Sequence, residues 1–228
     1  MRQVVISGVS RGLGFELLDL LIKGGQRPVA IGRRTDPRHN SEISNGAFTF
    51  LAADLADANS LEQLDFRHVF PEATSQIVFI SNAGTVDPIS LLENVGAPAL
   101  SAAFATNALG PIFIVKKLLQ ISDARRIQLR IINISTGAAR KPFPGLGAYC
   151  ASKAAASMLL DCLAKERPDV DVRHVDPGVF DTDMQLALRS APEGRLPVRN
   201  VFERFAAEGR LRKVRDVAHD LLVRGELL

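Results

Sequence analysis

A chain of 228 residues with 46% hydrophobic and 23% charged residues suits one domain with a large buried core. Its net charge of +3 is no nucleic-acid footprint, and the one basic cluster, Arg204, Arg210, Arg212, Lys213 and Arg215, is not interleaved with aromatics and reads as a solvated face. Apolar runs fall short of the roughly 20 residues of a membrane helix, the four histidines lack metal-ligand spacing, and two cysteines without a signal peptide point to a reducing, cytoplasmic setting.

Strand and helix patterns alternate along the chain. That predicts an α/β fold: a single doubly wound domain over 1–228, with a parallel sheet of six strands and helices on both faces. Residues 4–7 are a short buried strand. Residues 12–23 form an amphipathic helix with Leu13, Leu17, Leu18 and Leu21 on one side, closed by Gly24 and Gly25. The second strand, 28–31, ends at Gly32-Arg33-Arg34, and 35–45 is a polar loop or short helix. The third strand is 48–51. A helix is expected over 60–70, with Leu61 and Leu64 inward and Ser60 near its cap. Strand 77–80 ends at Ser81-Asn82-Ala83-Gly84. The helical run 98–122 contains Pro111, which is expected to kink it. Strand 127–134 is followed by a helix over 148–166 that Arg167-Pro168 ends. The sixth strand, 170–175, breaks at Asp176-Pro177-Gly178. The remainder reads as mostly helical with a Pro/Gly-rich break at 191–197, and 179–212 is expected to carry a substrate loop.

Three stretches carry chemistry. The first strand leads into Ser7-Gly8-Val9-Ser10-Arg11-Gly12-Leu13-Gly14, where glycines permit a tight turn and close backbone approach. The helix that follows presents free N–H groups to a phosphate, so a nucleotide site is expected at this first crossover. At the end of the second strand an NAD site usually places an acid for the ribose hydroxyls. This chain has Arg33 and Arg34 there, with Arg11 in the glycine loop. Cations suit a 2′-phosphate, so the expected cofactor is NADP (as NADPH). The third stretch is 133–153. Tyr149, the only tyrosine in the chain, precedes Lys153 by one helical turn, and Ser135 stands at the nearby strand end. A cation beside a phenol lowers a pKa that starts near about 10, which makes tyrosine a usable proton donor or acceptor.

The glycine loop, Asn82-Ala83-Gly84, Ser135, Tyr149 and Lys153 stand in this order on one α/β chain and together resemble the short-chain dehydrogenase/reductase family. Residues 132–138, 147–154 and 177–185 look most like its sepiapterin reductase and benzil reductase branch. The resemblance implies that Gly8, Ser10, Arg11, Gly12, Leu13 and Gly14 line the cofactor phosphates. Asp54 and Leu55 would contact adenine, although Asp54 reads equally well as a helix cap. Asn82, Ala83 and Gly84 would border the adenine-side ribose. Asn107 would hold a water beside the lysine, and Pro177, Gly178, Val179 and Thr182 would hold the nicotinamide carboxamide and pyrophosphate. In the implied reaction NADPH reduces a ketone or α-dicarbonyl. Ser135 hydrogen-bonds the carbonyl oxygen, Tyr149 protonates it, and Lys153 keeps Tyr149 acidic; Tyr149 and Lys153 also meet the nicotinamide ribose. The family's helices at 98–122 and 148–166 commonly pair across dimers, so a homodimer is expected. Ser7 and Ser81 replace the family's usual Thr and Asn, and the chain leaves room after Gly225 only for a stub of a seventh strand.

Thr136, Phe143, Leu146, Phe180 and Met184, with Leu188, flank the catalytic stretch. They read either as an apolar substrate pocket or as packing beneath a mobile lid. Two rival functions stay open: an NADP-binding regulator without chemistry, which would not need the serine, tyrosine and lysine, and an interaction protein, which would not need the glycine loop.

Overall fold

The computed structural model of the chain describes residues 1–225 and 227. Among them six strands form one parallel sheet: β1 Arg2–Ser7, β2 Val29–Gly32, β3 Thr49–Ala52, β4 Gln76–Ser81, β5 Gln128–Ile134 and β6 Asp171–Val175. Their order is β3-β2-β1-β4-β5-β6. Chain direction across the sheet reverses between β1 and β4, and the crevice above their C-terminal ends is where ligands of such sheets bind. The central strands are apolar almost throughout because helices cover both faces.

On one face lie α1 Gly12–Lys23 and α9 Val214–Val223. Their Leu17, Leu18, Leu21, Val217 and Leu221 pack with Val4, Ile6, Ile80 and Ile132. The other face takes α5 Gly110–Arg125 and α6 Gly147–Glu166, through Ile114, Leu118 and Leu160 against Val5, Phe79 and Ile131. A third cluster sits above the strand ends. Here α7 Asp183–Ser190 and α8 Arg199–Ala207 bring Leu188, Leu196 and Phe202 down onto Val86 and Leu146. Short helices α2 Asn40–Ser44, α3 Ala58–Glu62 and α4 Ala97–Phe104 complete the set.

Three expectations change, and a fourth falls largely outside the described residues. The helix expected over 60–70 is only α3, capped by Asp57, which accepts the Asn59 N–H at 3.1 Å. Lys117 ends it by donating to the carbonyls of Glu62 (2.7 Å) and Leu64 (2.8 Å). Phe66 and Phe70 are buried from a loop, stacked at 5.9 Å. The run 98–122 does not simply kink at Pro111. A π-helical turn, Ala105–Leu109, separates α4 from α5. Proline's ring would strike the carbonyl four residues back in a regular helix, and the wider turn relieves that clash. By length and composition the composite helix Ala97–Arg125 is apolar enough to cross a membrane, contrary to the sequence reading. Its buried stripe of Ala103, Ala108, Ile114, Val115 and Leu118 is a core face. The expected stub of a seventh strand falls on 226–228, of which 226 and 228 lie outside the described residues; Leu227 is buried and not in a strand.

Candidate active site

The crevice begins at the glycine loop. Gly8 has φ +76°, and a Cβ there would lie 2.6 Å from the Ala83 Cα. A Cβ on Gly14 would overlap the Gly8 carbonyl and the Asn82 amide. Both positions therefore demand glycine. Asn82 locks the turn by donating to the carbonyls of Ser7 (3.1 Å) and Gly8 (3.0 Å). The Ser7 hydroxyl accepts the N–H groups of Asn82 and Ala83, both at 3.2 Å. Arg11 precedes α1 in extended backbone and makes no side-chain cap, so the helix N-terminus keeps its N–H groups for an anion. Arg33 and Arg34 are exposed at the end of β2, and the acid that follows them, Asp36, is held by Arg38 at 2.9 Å. Arg11 reaches Asp183 at the start of α7, at 3.4 Å. A glycine cradle, a free helix N-terminus and clustered cations fit a phosphorylated dinucleotide.

At the rim beside β3, the Asp54 carboxylate accepts the Ala56 N–H at 3.0 Å, and the Asp54 N–H donates to the Ser60 hydroxyl at 2.9 Å. Asp54 is thus not the cap of α3. The Leu55 side chain is buried in the core beneath α5. Asn107 lies in the π turn. Its amide oxygen accepts the Thr85 N–H at 2.8 Å, and its NH₂ donates to the Thr85 carbonyl and the Ser152 hydroxyl, both at 2.9 Å. Those bonds fix the loop after β4 to α6 and occupy the side chain. Pro111, one turn on, has no N–H to give the Asn107 backbone carbonyl.

The first turn of α6 presents Tyr149, and Lys153 follows one turn on. Lys153 is 6% exposed and donates to the Ile134 carbonyl at 2.6 Å. Burial lowers its pKa from 10.5 to about 8. The Tyr149 phenol is pushed above 10.0, first by burial and then by the nearby Cys150 and Asp176; the neighbouring Thr136 side chain works the other way. The expectation that Lys153 lowers this phenol is corrected. The ammonium is turned to Ile134, and the buried phenol resists ionisation.

Ser135 is 6% exposed, at the end of β5, with its N–H on the Val175 carbonyl at 2.8 Å. It follows Ile134, whose carbonyl receives Lys153. Thr136 caps the turn Gly137–Ala139 by accepting the Ala138 N–H at 3.3 Å, and its side chain neighbours the Tyr149 phenol.

Beyond β6, Asp176 accepts the Gly178 N–H at 3.0 Å and lies 3.6 Å from Arg140. Pro177, Gly178 and Val179 lead to Thr182, whose hydroxyl caps α7 by accepting the Gln185 N–H at 3.3 Å. Phe143 and Met184 are partly buried in one cluster with Tyr149 and Cys150. Leu146 and Leu188 are buried within that cluster as packing, and Phe180 packs instead on the α1/α9 face, bridged to Arg212. Gly145 ties the catalytic loop to the lid: a Cβ there would overlap the Arg195 carbonyl. Sequence reasoning did not single out Asp176; its signal was an acid adjoining the Pro-Gly break, just past the strand paired with β5.

The family model of the short chain dehydrogenases matches residues 2–193. A benzil reductase ((S)-benzoin forming) of Bacillus cereus is 30% identical over 221 residues, 92% of this chain and 88% of that protein. A sepiapterin reductase of Meriones unguiculatus is 34% identical over 224 residues, 91% of this chain and 84% of that protein. In shape, a short chain dehydrogenase/reductase from Saccharomyces cerevisiae matches with a TM-score of 0.81 at 22% identity, over 94% of this chain and 86% of that one.

Proposed function

The chain belongs to the short-chain dehydrogenase family, and from that premise we propose that it is an NADPH-dependent carbonyl reductase acting on a ketone or α-dicarbonyl. The observation that carries this reading is the placing of Tyr149 and Lys153 one turn apart on α6, with Lys153 bonded to the end of β5 beside Ser135, at the strand ends of a dinucleotide crevice. NADPH, when bound, supplies the hydride that reduces the carbonyl carbon. Negative charge then develops on the carbonyl oxygen. Ser135 donates a hydrogen bond to that oxygen and Tyr149 transfers its proton to it, which is worth about 10²–10⁴ in rate for the proton transfer. Lys153 holds ribose hydroxyls and returns a proton toward the phenol. Thr136 borders the substrate beside the phenol. The glycine loop and the α1 N-terminus take the pyrophosphate, and Arg11, Arg33 and Arg34 the 2′-phosphate. Phe143 and Met184 offer apolar surface to the substrate.

The protein is proposed to act in the cytoplasm, where its two free thiols persist. It is proposed to act as a homodimer joined through α5 and α6, without nucleic acid or membrane. NADPH should bind at least about tenfold more tightly than NADH, because only NADPH offers the phosphate its charge-assisted bonds. Titration by cofactor fluorescence checks this, and equal affinity would overturn the assignment of the arginines. Tyr149→Phe should bind NADPH normally and lose turnover on vicinal diketones and aromatic ketones by about 10²–10⁴. A wild-type protein that binds NADPH yet leaves that panel untouched would instead be a cofactor-binding regulator.

A further inference from the structure

The connection from β2 to β3 carries Arg33 and Arg34 at its start and is fastened to α1 at Phe15, by the Arg38 guanidinium 3.8 Å above the ring and by His39 against it. His39, in the turn Pro37–His39, is 2% exposed. Its ring stacks on Phe15 at 4.5 Å and 22°, and meets Phe48 edge-on at 5.8 Å and 72°. Neither ring nitrogen has a hydrogen-bond partner among the described residues. Phenylalanine would fill the same space without two unpaired polar atoms, so the imidazole asks for a reason beyond packing.

The ring borders a cavity of about 340 Å³ lined with charge. From α1 come Glu16, Asp19 and Lys23, from its own turn Arg38, from α2 Glu42, and from α9 Arg215; Asp36, just before the turn, also acts on the ring. The carboxylates are engaged elsewhere. Asp19 is held by Lys23 (2.8 Å) and Arg215 (2.9 Å), Glu16 by Arg215 (2.9 Å), Asp36 by Arg38 (2.9 Å), and Glu42 accepts the Ser41 hydroxyl at 2.7 Å. None is bonded to His39. Burial outweighs the carboxylates and lowers the imidazole's pKa from 6.5.

We propose that His39 is a positioning residue for the cofactor's 2′-phosphate: its neutral ring pins the turn that sets Arg33 and Arg34, and its protonation releases that turn and weakens the grip on NADP. This rests on the assignment of those arginines in the proposed function. The sign follows from linkage. The folded state favours the neutral ring, so anchoring is complete above the ordinary histidine pKa and is lost as pH falls through it toward the lower folded value.

The test is calorimetric titration of NADP⁺ and NAD⁺ from pH 8 to 5.5, on the wild-type chain and on His39→Phe, which keeps the aromatic sandwich without a titrating group. The 2′-phosphate itself titrates in this range, so the two proteins are compared with each other. Wild-type affinity for NADP⁺ should fall by about threefold or more beyond that of His39→Phe. NAD⁺ affinity should change alike in both. By reciprocity, saturating NADP⁺ must lower the His39 pKa read from its imidazole resonances by NMR. Parallel NADP⁺ curves, or a His39 pKa that ignores NADP⁺, would overturn the proposal. Wild-type preference for NADP⁺ with parallel curves removes only the role of His39. Equal affinity for NAD⁺ and NADP⁺ at every pH removes the arginine assignment and this proposal with it.

Discussion

Tyr149 is a phenol that its surroundings keep protonated. Burial, Cys150 and Asp176 all raise its pKa, and only the Thr136 hydroxyl opposes them. A protonated phenol is the form a reductase needs, so reduction should fail only as pH rises through that raised pKa. Asp176→Asn removes a negative charge while keeping an acceptor for the Gly178 N–H. Ionisation becomes easier, and the alkaline limb of the kcat/KM profile for reduction should move to lower pH. An unmoved limb would show that the carboxylate does not reach the phenol. Ser135→Ala should cost about 10²-fold in kcat, while Thr136→Val should stay within a few-fold; steady-state kinetics on a single diketone separates them. The pairing of Tyr149 with Lys153 was legible in the sequence, because helical spacing places residues four apart on one face. The direction of Lys153 was not, since the Ile134 carbonyl that captures it comes from another element.

Elements with strong local signals were readable. The helix 12–23 emerged with the boundaries its leucine spacing and terminal glycines imply, and the strand centres followed their apolar runs. The helix expected over 60–70 failed because burial of Leu61, Leu64, Phe66 and Phe70 is shared between a short helix and a loop. An apolar pattern records burial and does not by itself record backbone shape. The π turn was half legible: Pro111 announced a disturbance, but its relief lies in the preceding turn. Contacts between distant elements leave no local pattern at all, and Gly145 is an example. Its φ of +87° and its contact with the Arg195 carbonyl bind the catalytic loop to the segment between α7 and α8. Gly145→Ala should therefore destabilise by about 2–3 kcal/mol and lower turnover as well, combining backbone strain with overpacking. Gly25→Ala shares a positive φ of +76° but has nothing within 4 Å, and should cost only about 1 kcal/mol. Urea denaturation of both variants, read with their kcat, checks the contrast.

At the scale of the whole molecule, the two long helices on one face leave large apolar side chains outside. Leu109 and Phe113 are 49% and 42% exposed, and Met158 and Leu159 are 63% and 42% exposed. Exposed apolar residues on packed neighbouring helices suit a self-complementary interface, the commonest route to a two-fold dimer. Replacing Phe113 and Met158 together by Glu should shift the proposed dimer to monomer in sedimentation velocity, while leaving NADPH affinity within about twofold, since neither residue lies in the cofactor crevice. A wild-type chain that sediments as a monomer would remove the interface.

The ends of the sheet have a different bearing. Among the described residues β6 is the last strand on its side, and it spans only Asp171–Val175. Asp171 is bonded by Arg130 at 2.6 Å and by Arg173 at 3.0 Å, which places an ion triad on the margin of the sheet. An unpaired strand is a template on which another chain can grow a fibril, and brevity with fixed charge is what blunts it. The opposite margin, β3, has just four residues. Crowded solutions of this protein are thereby protected against strand-by-strand polymerisation at both borders, a safeguard that owes nothing to catalysis.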